Sequence, residues 1–254
     1  MKYEIIACHY APKRRDLANE TLSHSMCYGC CNFNCLFCDF RARPKQSYIY
    51  YTDKDFDTLL DELFKHSKNF KFSGGEPTLN PKIINHLTNV KNRGGFVYFD
   101  TNGSNPDVIE KLLQMELVDV LGISLKGATK EEAVQVSRSN PTLVWDNVFK
   151  TLQIAGNYKK AHTIVTLVFT KANYKGRINT FADLIKDIPN VQLKINNLQR
   201  DDHKPNAYEL ISVQSDELVN EVEEFIAKNP EWKGRTILIN TLDAISDYSK
   251  IQFY

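Results

Sequence analysis

Cys31, Cys35 and Cys38 are the residues of this sequence whose type and spacing are best suited to chemistry. Five of the six cysteines lie between Cys27 and Cys38, so nearly all of the thiols fall in one short segment. Clustered thiolates can hold an iron–sulfur cluster, which normally takes four protein ligands. A set of three leaves one iron open to a ligand that is not protein. The spacing therefore predicts a reactive iron centre rather than a structural metal site.

A zinc knuckle is the main alternative for the same segment. Zinc takes four ligands in a closed tetrahedron, and Cys27, Cys30, Cys31 and Cys35 could supply them. On that interpretation, or with a cluster that only senses redox state, the protein would bind a partner and catalyse nothing. The glycine-rich and Thr-Asn segments described below argue against zinc, because a zinc knuckle does not need them.

Size and composition narrow the class of protein. The chain has 254 residues and is 42% hydrophobic, which suffices for one large α/β domain over residues 1–254. A net charge of +1 gives no bulk attraction to nucleic acid or to anionic lipid. No apolar run approaches the roughly 20 residues of a membrane span, and the first residues are too briefly apolar for a signal peptide. We therefore expect a cytoplasmic protein, with reduced thiols and without membrane or nucleic-acid partners.

Strand and helix patterns alternate along the chain. The residues between two turn signals are repeatedly β-branched or aromatic, and amphipathic helical segments follow them. Predicted strands cover 70–72, 96–100, 118–124, 162–169, 191–195 and 236–240, and predicted helices cover 81–93, 105–115, 129–138, 144–158, 181–188 and 215–228. This alternation predicts a parallel sheet covered by helices. Chemistry in such folds collects at the carboxyl ends of the strands.

Residues suited to ligand binding directly follow three of the predicted strands. They are Gly74, Gly75 and Glu76 after the first, Thr101 and Asn102 after the second, and Ser124 and Lys126 after the third. The two glycines let a ligand approach the backbone closely, and Glu76 can accept from an amine. Lys126 can pair with a carboxylate on the side that Ser124 also faces, because the two lie two residues apart. The set predicts a pocket for a zwitterion that carries a sugar.

Taken together, these residues resemble the radical S-adenosylmethionine (radical SAM) superfamily. Cys31, Cys35 and Cys38 match its three-cysteine signature, with Phe37 at the aromatic position, and residues 74–77 match its Gly-Gly-Glu segment. Residues 99–106, 117–119 and 124–126 are most similar to activases of glycyl-radical enzymes, of the type that activates anaerobic ribonucleotide reductase. The resemblance covers roughly residues 25–200.

The resemblance implies an architecture and a set of cofactor contacts. The fold would be a partial (β/α)₆ TIM-like barrel with parallel strands, with a core at about 20–200 and an extension at 201–254 that shapes the substrate mouth. A [4Fe–4S] cluster would bind Cys31, Cys35 and Cys38, and SAM would cap its open iron. The implied SAM contacts are Phe37, Gly74, Gly75, Glu76, Thr101, Asn102, Ser124, Lys126, Val165 and Val168. Within this set, Gly74, Gly75 and Glu76 would hold the amino group and Lys126 the carboxylate. Phe37, Val165 and Val168 would hold the adenine. Ser124 departs from the activases, which usually carry Asp there.

The resemblance also implies a reaction. Reductive cleavage of SAM would give a 5′-deoxyadenosyl radical that abstracts a hydrogen atom from a protein or peptide, with a glycyl-radical enzyme as the leading substrate. The alternative is epimerisation or cyclisation of a peptide or small metabolite. Flavodoxin or ferredoxin would supply the electron.

For several residues the sequence is compatible with both a functional and a purely structural role. Cys8, Cys27 and Cys30 could return a hydrogen atom to a substrate radical, or could be small buried or incidental thiols. His203 could touch the ribose or lie at the surface. The basic residues Arg41, Arg43 and Lys45 follow the cysteines and are candidates for substrate contact. The sequence assigns no catalytic residue beyond the cofactor ligands.

Overall fold

The computed structural model describes residues 3–14, 21–38, 49–198, 211–240 and 251–254. The strands are β1 Tyr3–Arg14, β2 Thr21–Tyr28, β3 Ile49–Tyr51, β4 Asn69–Gly74, β5 Phe96–Thr101, β6 Val120–Ser124, β7 His162–Phe169, β8 Val191–Asn197, β9 Thr236–Ile239 and β10 Gln252–Phe253. The helices are α1 Asp53–Leu63, α2 Ile83–Asn92, α3 Pro106–Gln114, α4 Lys130–Ser137, α5 Asn147–Asn157, α6 Arg177–Ile185 and α7 Ser215–Lys228. A short π-helical segment, Thr142–Asp146, leads into α5.

The described strands form one open sheet in the order β10-β9-β8-β7-β6-β5-β4-β2-β1-β3. Pairing is parallel from β2 through β4 to β9, and antiparallel where β1 meets β2 and β3 and where β10 meets β9. The prediction of an α/β fold with a parallel, unclosed sheet is confirmed. The parallel part has one strand more than the six predicted, and the sequence analysis had assigned no strand to β1 or β2.

Apolar side chains on both faces of the strands and on the inner faces of the helices build the core. In α3, which begins at Pro106 because proline suits the first helical turn, Ile109, Leu112 and Leu113 are buried. Leu218, Val222 and Phe225 of α7 join the same hydrophobic cluster. The described part of residues 201–254 therefore packs on the core and adds β9 to the sheet. Its role in shaping a substrate mouth stays a prediction.

The sheet curls so that side chains on its inner face meet across an interior. The ammonium nitrogen of Lys194 on β8 lies 3.0 Å from the hydroxyl of Tyr98 on β5, although β6 and β7 separate the two strands. The open sheet thus encloses a polar space beneath the carboxyl ends of its strands. Among the described residues, none of the helices combines the length and the apolar character that crossing a membrane would require.

Candidate functional site

A cavity of about 260 Å³ lies at the carboxyl ends of β4 to β8. It gathers most of the residues that the sequence analysis singled out: Cys31, Cys35, Phe37, Cys38, Gly74, Gly75, Thr101, Asn102, Ser124, Lys126 and Val168. Gly74, Thr101 and Ser124 are the last residues of their strands, which is why three separate strands deliver them to the same edge. Glu76 and Val165 are the two predicted contacts that do not line the cavity.

The segment that carries the three cysteines, residues 29–38, follows β2 directly and is held at both ends by backbone hydrogen bonds. On one side, the nitrogens of Gly75 and Glu76 donate to the carbonyls of Tyr28 and Cys30, each at 2.6 Å. On the other side, the nitrogens of Asn34 and Leu36 donate to the carbonyls of Ser137 and Val136, at the end of α4. The loop is therefore fixed between the end of β4 and the end of α4.

Cys31 has the surroundings of a thiolate ligand. Its sulfur accepts from the backbone nitrogen of Phe33 at 3.4 Å and lies 3.9 Å from the side-chain nitrogen of Asn102. Burial raises the pKa of the Cys31 thiol. The Phe33 N–H opposes this rise, while Glu76, Cys35 and Cys38 add to it. A bound cationic metal would reverse the balance, because metals bind the deprotonated thiol.

The three cysteines line the same cavity, and three thiols are the donor set that a [4Fe–4S] cluster with one open iron needs. Among the described residues, no three Cys, His, Asp or Glu side chains are arranged to hold a single metal ion. N–H groups directed at sulfur, as at Cys31, are also a recognised way in which proteins tune such clusters.

Glu76 is fully buried and supports the site from behind. Its Oε1 accepts from the backbone nitrogen and hydroxyl of Thr78, at 3.1 and 2.6 Å, and from the hydroxyl of Thr101 at 2.8 Å. Its Oε2 accepts from the backbone nitrogen of Asn102 at 2.6 Å. Burial raises the pKa of Glu76, and these donors oppose the rise. The carboxylate has no exposed surface and does not line the cavity, so direct contact between Glu76 and a ligand stays a prediction.

Asn102 links the end of β5 to the cysteine loop. Its Nδ2 donates to Oδ1 of Asn32 at 2.8 Å, and its Oδ1 accepts from the backbone nitrogen of Ser104 at 2.9 Å. Asn32 in turn donates to the Ser104 hydroxyl at 2.8 Å. Asn32 was not predicted from the sequence, because its only signal is its position beside Cys31.

Lys126 and Ser124 both line the cavity. The Lys126 ammonium lies 5.3 Å from the centre of the Phe37 ring, within the range of a cation–π contact. The cation is thereby placed at the rim of the cavity, next to the cysteine loop.

Val165 points to the other side of β7. Side chains alternate along a strand, so Val165 and Val168, three residues apart, face opposite ways. Val168 and Thr166 line the cavity, whereas Val165 is fully buried in the hydrophobic cluster. Contact between Val165 and a ligand stays a prediction, without support from the residues that line the cavity.

The floor of the cavity carries charged groups that the sequence analysis did not single out. The Lys71 ammonium lies 2.7 Å from a carboxylate oxygen of Asp100, which also accepts from the Ser73 hydroxyl at 3.1 Å. Gly122 makes room for that carboxylate, because a Cβ at this position would overlap Asp100 Oδ1. Lys194 and Asn196 reach the cavity from β8. Polar residues two apart in apolar strands, as on β4 and β8, were the available signal.

The remaining candidate residues either do not line the cavity or lie outside the described residues. Cys27 is half-buried and Cys30 is exposed, and neither is among the lining residues. Arg41, Arg43, Lys45 and His203 lie outside the described residues, and so does the side chain of Cys8. Their roles stay predictions.

The sequence profile of the radical SAM superfamily matches residues 26–184, which is more than half of the chain. The chain belongs to the radical SAM superfamily. The match spans the cysteine loop, the Gly-Gly-Glu turn and the strands that surround the cavity. Members of this superfamily use a [4Fe–4S] cluster and SAM. Cys31, Cys35 and Cys38 line the cavity and are the thiols that would hold that cluster.

Two named radical SAM relatives show similarity over part of their length. A candidate glycyl-radical enzyme activating enzyme of Methanocaldococcus jannaschii is 34% identical over 103 residues, which are 39% of this chain and 40% of the relative. A candidate GTP 3′,8-cyclase of Saccharolobus islandicus is 26% identical over 205 residues, 78% of this chain and 62% of the relative. The match thus spans less than two thirds of either relative.

Solved structures of superfamily members share the fold. A radical SAM methyltransferase of Sphaerobacter thermophilus has a TM-score of 0.66 at 11% identity, covering 91% of this chain and 69% of that one. SuiB of Streptococcus suis, bound to precursor peptide SuiA, has a TM-score of 0.62 at 17% identity, covering 79% and 44%. At such identities the likeness establishes the fold alone.

Proposed function

We propose that this radical SAM protein cleaves SAM reductively and removes a hydrogen atom from a protein or peptide, with a glycyl-radical enzyme as the leading substrate. The observation that carries the proposal is the single cavity shared by Cys31, Cys35 and Cys38, the glycine turn after β4 and the cation of Lys126. The cluster and SAM would together supply a 5′-deoxyadenosyl radical, and the protein would supply binding, orientation and exclusion of water.

The residues around the cavity suit the groups of SAM. The Lys126 ammonium would pair with the carboxylate, and the backbone at Gly74 and Gly75 would bind the amino group. Phe37 and Val168 would pack against the adenine. Glu76 would act indirectly, by holding Thr101 and Asn102 in place.

Similarity to the Methanocaldococcus relative favours an activase. The match covers only 40% of that relative, so the partner is a matter of proposal. Modification of a peptide or small metabolite is the second candidate. It is favoured by the charged floor of the cavity, where a small polar group would find partners at Lys71, Asp100 and Lys194. In either case, flavodoxin or ferredoxin would be the electron donor.

The first experiment tests SAM cleavage. After anaerobic reconstitution with iron and sulfide, we expect a brown protein that forms 5′-deoxyadenosine from SAM when dithionite is added. Cys31→Ala should lose the cluster and the product, whereas Cys30→Ala, a matched change of an exposed neighbouring thiol, should keep both. A colourless protein with one tightly bound zinc and no SAM cleavage would overturn the proposal.

The second experiment separates the two candidate reactions. The reconstituted protein and SAM are incubated with candidate glycyl-radical enzymes and, separately, with candidate peptides. A glycyl-radical doublet in electron paramagnetic resonance supports the activase. A peptide of altered mass, without the doublet, supports the second candidate.

A further inference from the structure

Lys194 is a buried cation, and no described carboxylate forms an ion pair with it. Its side chain leaves β8 toward the interior, and the residue is 4% exposed. In the described part of the chain, its ammonium has one hydrogen-bond partner, the neutral hydroxyl of Tyr98 at 3.0 Å, and it lies 5.5 Å from the centre of that ring. An ammonium has three donors, and burying it without an opposite charge is costly. A buried ammonium of this kind can bind an anionic ligand that supplies the missing charge.

The other charged groups of the cavity are already engaged. Lys71 forms an ion pair with Asp100 at 2.7 Å, and this pair lies beside the same Tyr98 ring, 4.5 Å from the Lys71 nitrogen. Lys126 lies at the rim beside Phe37. Glu76 is turned away from the cavity. Below the rim, the described lining therefore has two ammonium groups, those of Lys71 and Lys194, and one carboxylate, that of Asp100.

The neighbours of Lys194 add polar atoms of both kinds. Thr166 lies beside it in register on β7 and lines the cavity. Asn196 follows two residues later, so it points to the same face of β8. The Oδ1 of Asn196 is buried, and no described group forms a hydrogen bond with it. This oxygen could accept a hydrogen bond from a hydroxyl or amide that neighbours the anionic group of a ligand. The β7 and β8 wall of the cavity therefore offers both a cation and a hydrogen-bond acceptor.

We propose that Lys194 anchors the substrate of this enzyme through an anionic group, a carboxylate or a phosphate, that enters the cavity. This inference rests on the proposed function, because it assigns a substrate class to the same site. Tyr98 orients the ammonium, Asn196 accepts from the adjoining group, and the ion pair of Lys71 with Asp100 closes the floor. The SAM carboxylate is served by Lys126 at the rim, which leaves Lys194 for the molecule that reacts.

The test measures binding of small probes to the reconstituted, SAM-loaded protein at constant ionic strength. The probes are succinate, inorganic phosphate and neutral succinamide. Lys194→Met removes the charge and keeps the length of the side chain, and Lys194→Gln is the second variant. Lys150→Met is the control, because Lys150 is an exposed lysine paired with Asp107 at 3.0 Å.

We expect at least one anion to raise the Tm of the wild type and of Lys150→Met by roughly 3–6 °C at ten times its Kd, and succinamide to have no effect. The two Lys194 variants should bind that anion roughly tenfold to a hundredfold more weakly by calorimetry. Without a probe, their Tm should not fall below that of the wild type, because an unmatched buried charge has been removed.

Two results would overturn the inference: neither anion shifts the wild type, or the Lys194 variants bind the anion as tightly as the wild type does. If succinate alone acts, the anionic group is a carboxylate, and if phosphate alone acts, it is a phosphate. The formation of 5′-deoxyadenosine by wild type and Lys150→Met is measured on the same samples. Its absence would overturn the proposed function separately.

Discussion

The carboxylate of Glu76 lies 2.6 Å from the backbone nitrogen of Asn102 and thereby joins the end of β4 to the end of β5. The same carboxylate accepts from Thr78 and Thr101, so both of its oxygens are engaged in a fully buried position. Asn102 continues the chain of contacts to Asn32 in the cysteine loop. Glu76 therefore connects the Gly-Gly-Glu turn to the cysteine loop through Asn102.

Glu76→Gln tests this role. Glutamine has the same shape, but its amide nitrogen would have to face either the Asn102 N–H or the donors of Thr78 and Thr101. We expect the free energy of unfolding to fall by about 2–3 kcal/mol, measured by urea denaturation under anaerobic conditions. Glu224→Gln is the control and should cost under about 1 kcal/mol, because Glu224 is exposed in an i,i+4 pair with Lys228. Equal losses in the two variants would contradict the supporting role.

Gly75→Ala tests the close approach of the glycine turn to the cysteine loop. A Cβ at Gly75 would overlap the carbonyl oxygen of Cys30 and lie 2.7 Å from its carbonyl carbon. Backbone atoms cannot move aside singly, so we expect the loop to shift and the reconstituted protein to hold less than half of the wild-type iron. Iron and acid-labile sulfide per chain are the measurements.

The control for this prediction is Gly176→Ala. Gly176 has a φ of +68°, and no described atom lies within 4 Å of the position that a Cβ would take, so alanine adds backbone strain and no collision. It should cost about 1 kcal/mol of stability and leave the iron content unchanged. A full iron complement in Gly75→Ala would show that the loop can adapt.

Lys126→Met tests the assignment of the rim cation to SAM. Loss of one charge-assisted hydrogen bond should weaken SAM binding roughly tenfold to a hundredfold. The iron content should stay constant, because the Lys126 nitrogen is placed over Phe37 and is not needed to hold a thiol. Equilibrium binding of SAM to the reconstituted protein, with Lys150→Met as control, is the measurement. Unchanged affinity would remove Lys126 from the SAM site.

The position of the site was predictable because the relevant signals are local. Glycine and polar residues directly after apolar strands mark the carboxyl edge of a parallel sheet, and this edge gathers Gly74, Thr101, Asn102, Ser124 and Lys126. Their order along the chain needs no knowledge of distant contacts. The three cysteines lie in one loop, but no strand was predicted before that loop, so only the family resemblance assigned them to the same site.

Two features could not be predicted from the sequence: which side chains of a buried strand face the interior, and which distant segments pair in the sheet. The strand His162–Phe169 carries apolar residues on both faces, because both faces of a central parallel strand are covered. The sequence therefore does not tell which of Val165 and Val168 faces inward. The contact between Lys194 and Tyr98 joins residues 96 apart and exists only because the sheet curls. The strand β2 has polar residues such as His24 and Ser25 and is defined by its pairing with β1 and β4.

The buried side chain of His86 should make the free energy of unfolding depend on pH. It is 2% exposed on α2, stacks on Phe56 at 4.1 Å, and is hydrogen-bonded through Nδ1 to the hydroxyl of Tyr28 at 2.8 Å. Burial lowers the pKa of His86 to about 4, a fall that Asp53 opposes and Lys82 reinforces. The unfolded chain, with an ordinary histidine pKa near 6.5, binds the proton first as the pH falls. The stability contributed by neutral His86 is therefore present above about pH 6.5 and is lost toward pH 4.

The expected loss from this one group is about 1 kcal/mol between pH 7 and pH 5.5. It is measured by anaerobic urea unfolding at the two pH values, for wild type and for His86→Gln. Between the two pH values, the free energy of unfolding of His86→Gln should fall by about 1 kcal/mol less than that of the wild type. His66→Gln, a change at an exposed histidine, should show the same fall as the wild type. Tyr28 is the last residue of β2, and its carbonyl accepts from the nitrogen of Gly75. Protonation of His86 would therefore also weaken the contacts at the start of the cysteine loop. Identical pH dependence in wild type and His86→Gln would contradict a buried neutral histidine at this position.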